Sequence, residues 1–252
     1  MNTVNDATVF PETADVETAS DGYARRFSGA IGTWMLSVQE GYVLRCLFDH
    51  PCASVLDVGG GHAQLTEPLL ALGCRVTVLG SDDVCRARIA TLVDAGKCDY
   101  VTGNVIALPF DDNSFDFAVS VRLLSHCERW PELLNEMARV ARHGVIVDYP
   151  VKSLLNRLAP WLFSLKKRLE GNTRTWISFR HADIEAVFAA RGLQVTQRHA
   201  QFFWPMVLHR KLKCVSVSRF LERVARLLGL TRACGSPIVL KASATSVDSE
   251  TL

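Results

Sequence analysis

The 252-residue sequence lacks any uncharged apolar run of about eighteen residues, so no segment of it reads as a membrane-spanning helix. It opens without the basic stretch followed by an apolar one that marks a secretory signal, which points to the reducing cytoplasm. Eight cysteines are present, yet none forms a CxxC pair or stands at zinc-ligand spacing from histidine. A disulfide framework and a structural zinc site are both weak readings of that scatter. Lys and Arg are missing from Met1 to Asp21, which holds Asp6, Glu12, Asp15, Glu17 and Asp21. Nor does any platform of aromatic and basic residues recur, so nucleic acid is not expected as a partner.

What is present is globular: 48% hydrophobic residues, 21% charged, and a net charge of +2. Length and composition suit one domain with a single core. Residues 1–20 read as a disordered acidic tail and 244–252 as a loose one, leaving 21–243 as the domain. Residues 23–50 read as a helical cap, with Trp34, Val38, Tyr42 and Cys46 on one stripe and Pro51 as the stop. Strands then alternate with helices from 54 to 150: "SVLDVG", "QLTEPLLALG", "RVTVLG", "VCRARIATLVDAG", "DYVTGN", "FDFAVSV", "WPELLNEMARVAR" and "GVIVDY". That alternation implies βαβ units and an α/β, doubly wound, mostly parallel sheet of the Rossmann-like kind.

In such a sheet, ligands sit beyond the carboxyl ends of the strands where strand order reverses. "VLDVGGGHAQL" puts Gly59, Gly60 and Gly61 in the first strand-to-helix turn, where backbone must approach a ligand. Asp57, two residues before Gly59, is more informative than the glycines. The Asp-x-Gly-x-Gly pattern resembles the first motif of class I S-adenosylmethionine-dependent methyltransferases. The resemblance continues through "GNVIALPFDDNSFDFAV" and "LLSHCERWPELLNEMARVARHGVIV" and covers about 54–150. It implies a seven-stranded sheet and S-adenosylmethionine as cofactor. Asp57, Gly59, Gly60 and Gly61 would hold its methionine part. Asn104 and Val105 would meet the adenine, and Ser120 would stand near the sulfonium.

Two positions depart from the resemblance. Ala63 replaces a third glycine, and Gly80 stands where the family carries the acid that accepts both ribose hydroxyls. Ser81 or Asp82 could substitute from the next positions; the same "SDD" could equally cap the following helix. For the chemistry, His126 after strand four, Tyr149 ending strand five beside Asp148, and His62 in the glycine turn are the catalytic candidates. Methyl transfer asks mainly for positioning of the acceptor and at times for removal of its proton. Tyr23 and Arg26 lie in the cap region that often closes this site in the family.

Helical insertions after strands five and six, about 151–175 and 206–230, are placed to form an acceptor pocket and lid. In the first, Leu154, Leu158, Trp161, Leu162, Leu165 and Leu169 form a stripe beside Lys166, Lys167 and Arg168; in the second, Val217, Phe220, Leu221, Val224, Leu227 and Leu228 oppose Arg219, Arg223 and Arg226. Such stripes either pack on the domain or lie on an anionic membrane surface and admit a lipophilic acceptor. The altered ribose position and the basic, amphipathic lid also resemble the rhodoquinone-biosynthesis group related to quinone methyltransferases. That resemblance implies a quinone ring as acceptor, amino transfer as an alternative to methylation, and a divalent metal such as manganese.

Overall fold

A computed structural model of the chain describes residues 10–152 and 176–244. Strands β1 (Ser54–Val58), β2 (Arg75–Gly80), β3 (Asp99–Thr102), β4 (Phe115–Ser120), β5 (Ala141–Tyr149), β6 (Leu193–Ala200) and β7 (Ile238–Ala244) form one sheet in the order β3-β2-β1-β4-β5-β7-β6. All neighbours pair in parallel except β7, which runs antiparallel to both β5 and β6. The expected seven-stranded, mostly parallel, doubly wound fold is therefore present. Its switch point lies between β1 and β4, with the glycine turn above it.

The central strands β1, β4 and β5 are largely apolar on both faces because helices cover both. One core layer joins Leu56, Val58, Ala118, Val145 and Val147 to α6 (Trp130–Val140) and α7 (His181–Ala189). The other joins Val55, Val76, Val78, Val119 and Ile146 to α3 (Gly29–Leu47) and α4 (Thr66–Ala71). Pro131 in the first turn of α6 starts that helix where its missing N–H costs nothing. The helix expected after β2 is reduced to a short turn and α5 (Ala90–Asp94).

The N-terminal expectation needs correction. Residues 14–19 form a helix, α1, followed by α2 (Asp21–Ala24), and Ala14, Asp15, Thr18 and Ala19 are buried. Long-range contacts hold α1 down: Glu12 accepts from the Arg129 N–H at 2.7 Å and the Arg88 side chain donates to the Ala19 carbonyl at 2.7 Å. The second insertion folds as α8 (Met206–Leu212), α9 (Val215–Leu227) and α10 (Leu230–Cys234). The first insertion, with its leucine stripe and Lys166, Lys167 and Arg168, lies from 153 to 175 outside the described residues, as do residues 245–252.

Candidate active site

The β1 tip delivers Asp57 and the turn after it. Gly59 has φ +74° and its N–H donates to the Leu79 carbonyl at 2.8 Å, tying the turn to β2. A Cβ on Gly60 would lie 2.2 Å from Asp57 Oδ2, and one on Gly61 would lie 2.6 Å from the Cys85 carbonyl oxygen. Backbone therefore passes where side chains could not. Ala63 adopts φ +61°, so the third position keeps the left-handed geometry without glycine.

Asp57 is fully buried, and neither carboxylate oxygen has a hydrogen-bond partner. Burial pushes its pKa up to about 7, and the nearby Arg122 guanidinium opposes that rise. A buried carboxylate with open lone pairs is costly unless a cationic or N–H group meets it. Its two open acceptor oxygens fit the ammonium end of an amino acid ligand.

Arg122, the second residue beyond β4, was not singled out from sequence. Its φ is +60°, an uncommon conformation for a residue with a side chain, and its N–H donates to Asp148 Oδ1 at 2.6 Å. Asp148 also accepts from Gln39 Nε2 of α3 at 2.5 Å, and burial raises its pKa to about 6. The Arg122 guanidinium lies 5.5 Å from the Tyr23 ring centroid and 5.0 Å from that of Phe27. A cation held against the paired Tyr23 and Phe27 rings beside Asp57 complements a carboxylate. Its legible signal was a charged residue immediately past an apolar strand, at the switch point.

The ribose question has an unexpected answer. Tyr100 Oη lies 2.3 Å from where a Gly80 Cβ would stand, so a side chain there would require Tyr100 to move. Ser81 is instead bound by Asp15 of α1: its N–H donates to Oδ2 at 2.6 Å and its hydroxyl to Oδ1 at 2.5 Å. Asp82 accepts from the Val84 N–H at 2.8 Å and caps the turn that follows, as one of its two readings had it. The Asp15 Cβ lies 3.4 Å, and Leu123 Cδ2 2.8 Å, from the Cβ position of Gly59. In this conformation α1 and Leu123 cover the outward side of the turn.

The remaining candidates divide. Ser120 donates to the Val58 carbonyl at 2.8 Å and clamps the β1 and β4 tips together. The Asn104 side-chain oxygen accepts from the Ile106 N–H at 3.1 Å, and Val105 is buried in the core. His62 spends both ring nitrogens on backbone: Nδ1 accepts from the Gln64 N–H and Nε2 faces the Val121 carbonyl at 3.3 Å. Burial holds its pKa well below the usual histidine range, so it shapes the turn as a neutral ring. His126 packs edge-on to Tyr23, ring centroids 6.4 Å apart, and to Trp176 at 5.2 Å. Tyr149 is not brought to this group. Successive strand residues face opposite ways, so Asp148 reaches Arg122 while Tyr149 points to α7, its hydroxyl 2.8 Å from His181 Nδ1. Among the described residues no group of three or more His, Cys, Asp or Glu could hold a metal ion, so no step below uses one.

Residues 56–147 match the family described as "Methyltransferase domain". Over 103 residues the chain is 36% identical to 24-methylenesterol C-methyltransferase 2 of Arabidopsis thaliana, covering 37% of this chain and 27% of that protein. Over 89 residues it is 38% identical to the ubiquinone/menaquinone biosynthesis C-methyltransferase of Roseobacter denitrificans, covering 34% and 31%. The chain thus spans less than a third of either relative. The magnesium protoporphyrin IX methyltransferase of Synechocystis, solved with bound SAH, superposes with a TM-score of 0.62 at 16% identity, covering 90% of this chain and 96% of that one.

Proposed function

We propose, for a chain that carries a methyltransferase domain of the class I fold, that it is an S-adenosylmethionine-dependent transferase modifying a quinone ring. The observation that carries the cofactor reading is the buried Asp57 with two unpartnered oxygens beside Arg122, which packs against the Tyr23 and Phe27 rings. The two charges suit the ammonium and carboxylate of one amino acid. Quinone as acceptor is supported by relatives named for ring C-methylation of ubiquinone and menaquinone.

When bound, S-adenosylmethionine supplies an electrophilic methyl on its sulfonium, or its α-amino group if the transfer is of the rhodoquinone type. Asp57 would hold its ammonium and Arg122 its carboxylate. Ser81, once freed from Asp15, would offer its N–H and hydroxyl to the ribose oxygens. Ser120 fixes the β1–β4 crevice in which the acceptor must lie. His126 accepts the proton that the ring carbon loses in C-methylation.

A covered glycine turn also favours a second reading, a ligand-binding or scaffold protein that has kept the fold without catalysis. One experiment separates the two. The purified protein is incubated with a short-chain quinone and cofactor labelled either with deuterium on the methyl or with nitrogen-15 on the α-amine, and the extracted ring is weighed by mass spectrometry. Incorporation of one label is expected and names the transferred group. Absence of both, together with no cofactor binding by calorimetry, overturns the enzyme in favour of the scaffold.

A further inference from the structure

Helix α9 buries its polar side. Ser218, Glu222 and Ala225 turn inward. There Glu222 accepts from the N–H groups of Phe203 and Trp204 at 2.9 Å each and lies 3.0 Å from His209 Nε2. These contacts replace an apolar anchor and satisfy an acid that would otherwise be stranded.

The apolar side is left outward. Val217, Phe220, Val224, Leu227 and Leu228 follow a helical spacing along one face, with Phe220 65%, Leu227 80% and Leu228 68% exposed. Arg219 and Arg223 are exposed beside this stripe, while Arg226 turns to the fold and donates to the Gln201 carbonyl at 3.0 Å. From Met206 to Cys234 the sequence has seven Lys and Arg residues and one acid, and that acid is the buried Glu222. A contiguous exposed apolar face of this kind marks an interaction surface. A second copy is a poor occupant, since its own bases would meet these with no exposed acid from the same segment to pair them. Nucleic acid would leave the apolar stripe in water.

We propose that α9 lies in the plane of an anionic bilayer, with Phe220, Leu227 and Leu228 entering the headgroup–acyl boundary and Arg219 and Arg223 meeting lipid phosphates. The docked surface is tied to the site: Arg210 of α8 lies 5.6 Å from the Phe27 ring centroid, and Arg122 lies 5.0 Å from the same ring. The docking does not depend on the transferase reading, and its test uses neither cofactor nor acceptor.

The full chain is floated with vesicles of phosphatidylcholine alone or with phosphatidylglycerol added. Strong flotation is expected only with the anionic vesicles, weakening as salt rises. Phe220→Glu with Leu227→Glu, and separately Arg219→Glu with Arg223→Glu, should each reduce partitioning at least tenfold while melting curves stay unchanged, because all four side chains are exposed. Flotation of either variant equal to the parent, no binding of the parent to anionic vesicles, or a dimer that the Phe220→Glu change disperses without any vesicle binding would overturn the proposal.

Discussion

Asp15 and Ser81 stand 66 positions apart in the chain, yet both oxygens of the Asp15 carboxylate are bonded to Ser81, one to its amide and one to its hydroxyl. The pair lies next to Gly80, where the resemblance led us to expect an acid for the ribose. An acid is therefore near the site, contributed by α1, and it occupies the donors that a ribose would use. Asp15 and the cofactor's ribose would then compete for Ser81. Asp15→Ala should tighten S-adenosylmethionine binding about tenfold in calorimetry, equivalent to about 1.4 kcal/mol, whereas Ser81→Ala should weaken it by a similar factor. Weaker binding by Asp15→Ala would instead make Asp15 a direct ribose acceptor.

The pH dependence of cofactor binding follows from Asp57. With its pKa raised to about 7 in the folded protein, Asp57 is neutral in acid and cannot hold an ammonium. Affinity should rise with pH through about 7 and fall again above roughly 8 as the ligand's own α-amine deprotonates. Asp57→Asn should remove the acid limb. In the ligand-free protein the raised pKa works in the opposite sense: folding binds a proton more tightly than the unfolded chain does, so stability declines as pH climbs from about 4 to about 7. Urea melts of the variant should lack that decline.

Arg122 can be tested without confusing shape with charge. Arg122→Gly suits the left-handed backbone and deletes the guanidinium; Arg122→Lys keeps a charge but loses the planar fork. We expect the glycine variant to melt within about 1 kcal/mol of the parent yet to bind cofactor at least tenfold more weakly. Unchanged binding would confine Arg122 to packing against Tyr23 and Phe27.

Removal of a base that acts in the chemical step should spare binding. His126→Gln is expected to lower ring-product formation by about 100-fold or more while the dissociation constant for cofactor stays level. Equal loss in both would assign His126 a place in packing Tyr23 and Trp176.

The sheet was legible because strand and helix patterns are local and Asp-x-Gly-x-Gly is compact. Three parts of the site were not. Six residues of α1 are too few to show a helical period, and their order comes from Ser81, Arg88 and Arg129, all distant in sequence. Tyr149 and Asp148 were both plausible at a strand end, and only the pleat decides which faces the crevice. The α9 stripe was read correctly as a stripe, but its direction depends on Glu222 finding three partners inside the fold.

The Tyr100 hydroxyl that fills the space beside Gly80 also accounts for the order in which such a protein could change. Any residue larger than glycine at the tip of β2 would strike that ring, whose hydroxyl is already committed to the Asp82 carbonyl at 2.6 Å. A carboxylate placed at position 80 would first need Tyr100 to move aside or be shortened, at the loss of its bond to Asp82. Positions 80 and 100 are thereby coupled: Gly80→Asp together with Tyr100→Phe should be tolerated better than Gly80→Asp alone.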